Sequence, residues 1–130
     1  MKDFIIFTPS HVVLNNISLL FSGKEYFMSV DHAEIYISKK ENKESFFKIR
    51  DIPSIIESYD SEELDFVYEN ISSSFNMYLC NYRSVEFAKH IINIIAKKIS
   101  VVVDNDFDQL MTGEEFLRRT MQEPDWDWTR

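Results

Sequence analysis

Between Phe75 and Val103 the chain changes its hydrophobic period twice, and this stretch constrains the fold more than any other. Phe75, Met77 and Leu79 alternate with Asn76, Tyr78 and Cys80, the two-residue period of a strand. Ser84 then offers an N-cap hydroxyl, and Ala88, Ile91, Ile92, Ile95 and Ile99 recur at helical spacing as a buried face. Glu86, Lys89, Asn93 and Lys97 fall on the other side and are expected to face water. Lys97 and Lys98 also suit the negative C-terminal end of a helix. Val101-Val102-Val103 follows at once as a second strand core. Strand, helix and strand in under thirty residues make a βαβ unit, which predicts parallel strands and a right-handed crossover.

The remaining elements are read from shorter signals. Phe4-Ile5-Ile6-Phe7 is a short buried strand closed by Thr8-Pro9. Ser10 is placed to cap a helix with Val13, Ile17, Leu20 and Phe21 on its face and Gly23 at its end, although Asn15-Asn16 also permits a hairpin. Segments 25–31, 33–39 and 45–49 are strand candidates joined by short polar links, an antiparallel meander. Ile52, Ile55 and Ile56 are expected to pin the connection that follows. Asp60 with Glu63 has the form of a capping box, opening a helix with Leu64, Val67, Tyr68 and Ile71 on one stripe. Near the end, Asn105-Asp106 is turn chemistry and 107–111 alternates as another short strand. Thr112 with Glu115 is a second capping box, and Pro124 halts the last helix. The fold class predicted is α+β: one domain over 1–130, with a mixed sheet (an antiparallel meander plus one βαβ unit) and three to four helices.

Composition narrows the function classes. A chain of 130 residues with 45% hydrophobic content can bury a real core, and two glycines with three prolines argue against a sandwich of many tight turns. No apolar run approaches the roughly 18 residues of a membrane span. Met1-Lys2-Asp3 and the four apolar residues after it are too short for a signal peptide. A single cysteine, Cys80, excludes an internal disulfide framework and suits a reducing compartment, so a cytoplasmic location is expected. The net charge is −8 and unevenly spread: 104–130 holds 8 acids against 3 bases, and 51–69 holds 7 acids with no lysine or arginine. Direct nucleic-acid binding needs clustered Lys and Arg and is not expected. The acids mean either ordinary solubility or a basic protein partner.

Chemistry-bearing patterns are few. Asp104, Asp106 and Asp108 alternate after a strand like the start of a calcium loop, but the sixth position is Gln109 where that loop has glycine. No metal site is therefore expected, and a solvated turn or an acidic contact surface is the better reading. His11, His32 and His90 sit on separate elements without zinc-ligand spacing. Cys80 lacks a nucleophile's setting, and two glycines can scarcely build a phosphate loop. Neither an enzyme nor a cofactor is expected. Trp126 and Trp128 lie in the last five residues, each after an aspartate. The structural reading is that Trp126 packs back on the domain and locks the tail; the functional one is a hot spot for a partner, and one ring for each job is also open. Arg118-Arg119 reads either as a solvated helix face or, in preference, as balancing the aspartates of the turn and tail.

The ending Val103-Asp104-Asn105-Asp106-Phe107, then Leu110, Gly113, Glu115-Phe116, Arg118-Arg119, Pro124 and Trp126-Asp127-Trp128, resembles the C-terminal signature of small bacterial immunity proteins. These are encoded beside polymorphic toxins, including those of contact-dependent growth inhibition. The resemblance covers roughly the last thirty residues, and Asp108 stands where the signature commonly has glycine. It implies a stoichiometric, cytoplasmic inhibitor of a cognate toxin domain, frequently a nuclease whose basic surface an acidic protein can cover. The residues then expected to meet the partner are Asp104, Asp106 and Asp108, with Glu57, Asp60, Glu62 and Glu63, and Trp126 and Trp128. Alternatively the tail locks the fold and the toxin binds elsewhere. A regulatory or scaffolding domain that recognises another host protein through the same acidic surface is the other reading. No oligomeric state follows from the sequence.

Overall fold

A computed structural model describes the chain except at positions 1, 24, 32, 42–44, 106–109 and 130, and at 53–55 it describes the backbone alone. In chain order the strands are β1 (Lys2–Pro9), β2 (Tyr26–Val30), β3 (Glu34–Lys39), β4 (Phe46–Asp51), β5 (Phe75–Tyr82), β6 (Val102–Asp104) and β7 (Leu110–Thr112). The α-helices are α1 (Leu14–Ser18), α2 (Ser61–Asn70), α3 (Val85–Lys98) and α4 (Gly113–Gln122). The seven strands among the described residues form one sheet in the order β2-β3-β4-β5-β1-β6-β7.

The α+β class with four helices is as expected, and β5, α3 and β6 follow one another as the period changes predict. Strands β5 and β6 do run parallel, but β1 lies between them and pairs antiparallel with both. Every neighbouring pair is thus antiparallel, which corrects the expected mixed sheet. The reason is in the first strand: Phe4 and Ile6 point to one face and Ile5 and Phe7 to the other, so a strand apolar on both sides takes an inner slot. Strand β1 is also longer than its apolar core, since pairing runs from Lys2 opposite Tyr82 to Pro9 opposite Phe75.

One face of the sheet carries the main core. Phe4, Ile6, Ile35, Ile37, Phe47, Ile49, Cys80 and Tyr82 meet Phe87, Ala88, Ile91, Ile92 and Ile95 of α3. Ser84 caps α3 as predicted, accepting the Phe87 N–H at 3.2 Å. The other face is smaller: Phe7, Met77 and Val102 meet Val67 of α2, with Tyr59, Ile71 and Leu110 around them.

Several local expectations change. The first helix starts later than Ser10, because the Val12 N–H closes a turn on Pro9 O; Asn16 Oδ1 then takes the Val13 N–H at 2.9 Å. It runs on into a 3₁₀ turn at Leu19–Phe21, with Ile17 and Phe21 buried and Val13 left in solvent. In the next connection Ile52 is half-buried but Ile56 is exposed; the side chain of Ile55 lies outside the described residues. Asn93 and Ile99 are both half-buried, one less exposed and the other less buried than predicted. Lys89, expected in water, is only 4% exposed.

Candidate protein-binding surface

The 51–69 stretch is held against the second face of the sheet by three attachments. Ile52 N–H donates to Met77 O at 3.4 Å, and Pro53–Ser58 then forms a 3₁₀ turn. The Tyr59 ring stands edge-on to Phe7 at 5.2 Å, and its hydroxyl donates to Asp104 Oδ2 at 2.5 Å. Asp60 caps α2 with the full predicted box: its Oδ1 accepts the Glu63 N–H at 2.8 Å, and Glu63 Oε1 accepts the Asp60 N–H at 3.1 Å. Val67 is buried and Leu64 and Ile71 are half-buried, while Tyr68, the fourth residue of the predicted stripe, stays 41% exposed.

Turning that stripe inward turns the acids outward. Glu57, Asp60 and Glu62 are exposed and Glu63 is half-buried. Asp65 and Glu69, which the sequence reading did not single out, are exposed as well. They follow Glu62 at i+3 and i+7, so the three share one helical face; that spacing was the available signal. With no lysine or arginine between Asp51 and Glu69, the ridge is of one sign. Carboxylates in the first turn also sit well against the positive end of the α2 dipole.

Asp104 joins this ridge, but as a support. It is half-buried, and one of its oxygens holds Tyr59, so it ties the start of the ridge to β6. Asp106 and Asp108 lie outside the described residues. Strands β6 and β7 pair antiparallel, with Val103 opposite Met111; of the strand expected over 107–111 only Leu110 and Met111 are among the described residues, and β7 runs on through Thr112. Among the described residues no group of three or more His, Cys, Asp or Glu converges as metal ligands.

The tail is built into the domain. Trp128 is 1% exposed, edge-on to Phe4 at 5.0 Å and within 5.4 Å of Tyr82 and 5.7 Å of Phe116. Its indole N–H donates to Val85 O at 3.4 Å, and Asn105 Nδ2 donates to its carbonyl at 2.9 Å. That burial corrects the expected contact role of Trp128, which has no face left for a partner. Trp126 is half-buried, edge-on to Phe116 at 5.5 Å, with the Arg119 guanidinium 4.0 Å from its ring centre. Buried Lys89 explains the clasp: its ammonium donates to Pro124 O at 2.9 Å and Trp126 O at 3.1 Å. Burial, then the charges of Asp127 and Asp3, push the neighbouring Tyr82 phenol up to about 12.

Among the described residues, Arg118 bridges Glu115 and Gln122, and Arg119 pairs with Glu123 at 3.5 Å, so both arginines have partners along their own helix, as a solvated helix face would. Two of the turn aspartates they were expected to balance, Asp106 and Asp108, lie outside the described residues. Thr112 Oγ1 accepts the Glu115 N–H at 3.2 Å, but the Glu115 carboxylate goes to Arg118, so only one arm of the predicted box forms. Elsewhere, Cys80 is fully buried, and burial pushes its thiol well above the ordinary value, the opposite of an activated nucleophile. His90 Nε2 lies 2.6 Å from the Tyr26 hydroxyl. Among the described residues no helix is long and apolar enough to cross a membrane. Compared with known proteins, the chain matches no family model, no curated protein and no solved structure.

Proposed function

We propose that this chain is an immunity protein, an equimolar inhibitor that binds a cognate bacterial toxin domain in the cytoplasm and blocks it without catalysis or cofactor. The observation that carries this reading is the one-signed ridge: Glu57, Asp60, Glu62, Asp65 and Glu69 exposed along one connection and one helix face, with no cation among them. A nuclease toxin needs a basic surface for its substrate's phosphates. An acidic ridge is steered to such a surface and then covers it, and the gain is mainly in association rate and choice of partner. The resemblance of the last thirty residues supports the same reading. With Trp128 in the core, that ending serves the fold as a lock, and the ridge is the face offered to the toxin.

The toxin domain should be encoded directly upstream. Co-expression with this chain is expected to restore growth to cells making that domain, and the purified pair should run as an equimolar complex that loosens as salt is raised. If growth is not rescued and a housekeeping protein is captured instead, the chain is a regulatory or scaffolding domain that uses the same ridge.

A further inference from the structure

A groove of about 370 Å³ opens between α1, the end of β2 and the end of β4. Val13, Leu14, Val30 and Tyr78 line it, together with Asp31 and Asp51. Val13 is 50% and Val30 47% exposed, whereas Ile17 and Phe21 of the same helical segment are buried. Both carboxylates are exposed, and one is fixed in place: Asp31 Oδ1 accepts the N–H groups of Ala33 and Glu34, each at 3.0 Å. Asp51 is held through its backbone, which donates to Ala33 O at 3.3 Å, and its charge adds to burial in raising the Tyr78 phenol.

The groove lies at the end of a sheet edge. Strand β2 is the outermost strand, so one row of its amides and carbonyls faces outward. Soluble proteins guard such edges with lysine, proline or a bulge, and Tyr26-Phe27-Met28-Ser29-Val30 has none of these; its register with β3 is unbroken. The groove end of this edge carries two carboxylates and no lysine or arginine among its lining residues, whereas Lys39 and Lys40 flank the far end of β2.

We propose that this groove is a docking site for an arginine side chain carried on an extended segment of a basic protein partner. The aliphatic stem lies along Val13, Leu14 and Val30, and the guanidinium fork takes the carboxylates of Asp31 and Asp51. The backbone of the segment adds to β2 as an eighth strand. A second copy of this chain is the poorer occupant. Antiparallel pairing of β2 with itself about Met28 sets Glu25 against Asp31, like charge against like, at both ends. The inference deepens the immunity reading by naming the partner's anchoring residue. It rests on that reading only for the partner's being basic, and Asp51, the first acid of the 51–69 stretch, also lines the groove.

The test is a titration of the full chain by amide NMR with Nα-acetyl-arginine amide, against the neutral citrulline compound of the same shape. Saturable shifts at Val13, Val30, Asp31 and Asp51 are expected with the arginine compound alone. The Asp31→Asn, Asp51→Asn double variant keeps a side-chain oxygen at position 31 to accept the turn's N–H groups, and it should bind at least tenfold more weakly. No saturable shift in the groove, or equal shifts with citrulline, overturns the proposal. Growth rescue by the same double variant keeps the two ideas apart. Full rescue without shifts in the parent chain removes the groove alone, whereas shifts in a chain that never rescues remove the immunity reading and leave the groove.

Discussion

Lys89 stays at 4% exposure because its ammonium has two tail carbonyls to hold, those of Pro124 and Trp126. A buried charge without partners would be strongly destabilising, so the clasp and the burial require each other. Replacing Lys89 with Met removes both charge-assisted bonds and leaves two carbonyls unanswered, an expected loss of about 2–3 kcal/mol in urea denaturation. Both tryptophans lie in the held segment, so emission should shift to the red and acrylamide quenching should rise in the same variant. Trp128→Ala should lose more, about 3–5 kcal/mol, since it empties a site against Phe4, Tyr82 and Phe116. His90 tests the electrostatics of the opposite edge. Partial burial first, then Lys39 and Lys97, lower its pKa below the ordinary 6.5, while Glu25 opposes them. The fold holds the neutral ring, so its contribution to stability is complete above pH 6.5 and falls away as pH drops through the lower folded value. An NMR titration of the ring protons should place the midpoint below 6.5 and move it upward in Lys39→Ala; a midpoint at or above 6.5 would contradict this account.

At the level of elements, the decisive contact is the crossing of α3 with the start of α4. Gly113 opens α4 and donates to Val101 O at 2.8 Å; a β-carbon there would come 2.8 Å from Val101 Cγ2 and 3.0 Å from Ala96 Cβ. Helix propensity alone favours Gly113→Ala by up to about 1 kcal/mol, whereas forcing a methyl into a filled contact loses about 1–3 kcal/mol. The clash should win, and a lowered urea midpoint is expected; a raised one would mean that Val101 and Ala96 have room to move. The capping signals at Ser84 and Asp60 were legible because each joins residues three apart, and α3 and α2 begin at them. The start of α1 was not legible: Ser10 had the better local chemistry, but the turn from Val12 to Pro9 that ends β1 uses that segment. For the same reason Lys89 was assigned to water. Its helical position is polar by period, and the partners that bury it lie 35 and 37 residues further along the chain.

At the scale of the molecule, charge is sorted by face. The hydrophobic stripe of α2 packs on Phe7, Met77 and Val102, which leaves Glu62, Asp65 and Glu69 in a row outside. Reversing that row with Glu62→Lys, Asp65→Lys and Glu69→Lys should slow association with the toxin domain by about tenfold or more at low ionic strength. The difference should shrink in high salt, where the screening length falls to about 3 Å. Stopped-flow traces that are unchanged at low salt would take the ridge out of the interface. None of the three side chains supports the core, so folding stability should fall only by what Glu62 contributes at the positive end of the α2 dipole, about 1 kcal/mol.

Period and capping in the chain were enough to specify the α+β class, most strand positions, the starts of α2 and α3 and the acidity of 51–69, because each depends on neighbours within a few residues. They were also enough to mark the two tryptophans as unusual for a tail. Three further facts came only from long-range pairing: β1 between β5 and β6, Lys89 holding the tail, and Trp128 inside the core instead of on the surface. The same holds for the groove, where Val13, Asp31 and Asp51 come from three elements that meet only once β2, β3 and β4 are laid side by side. Local free energies are written in adjacent residues, but a sheet's strand order and the partner of a buried charge are settled by which distant surfaces fit together.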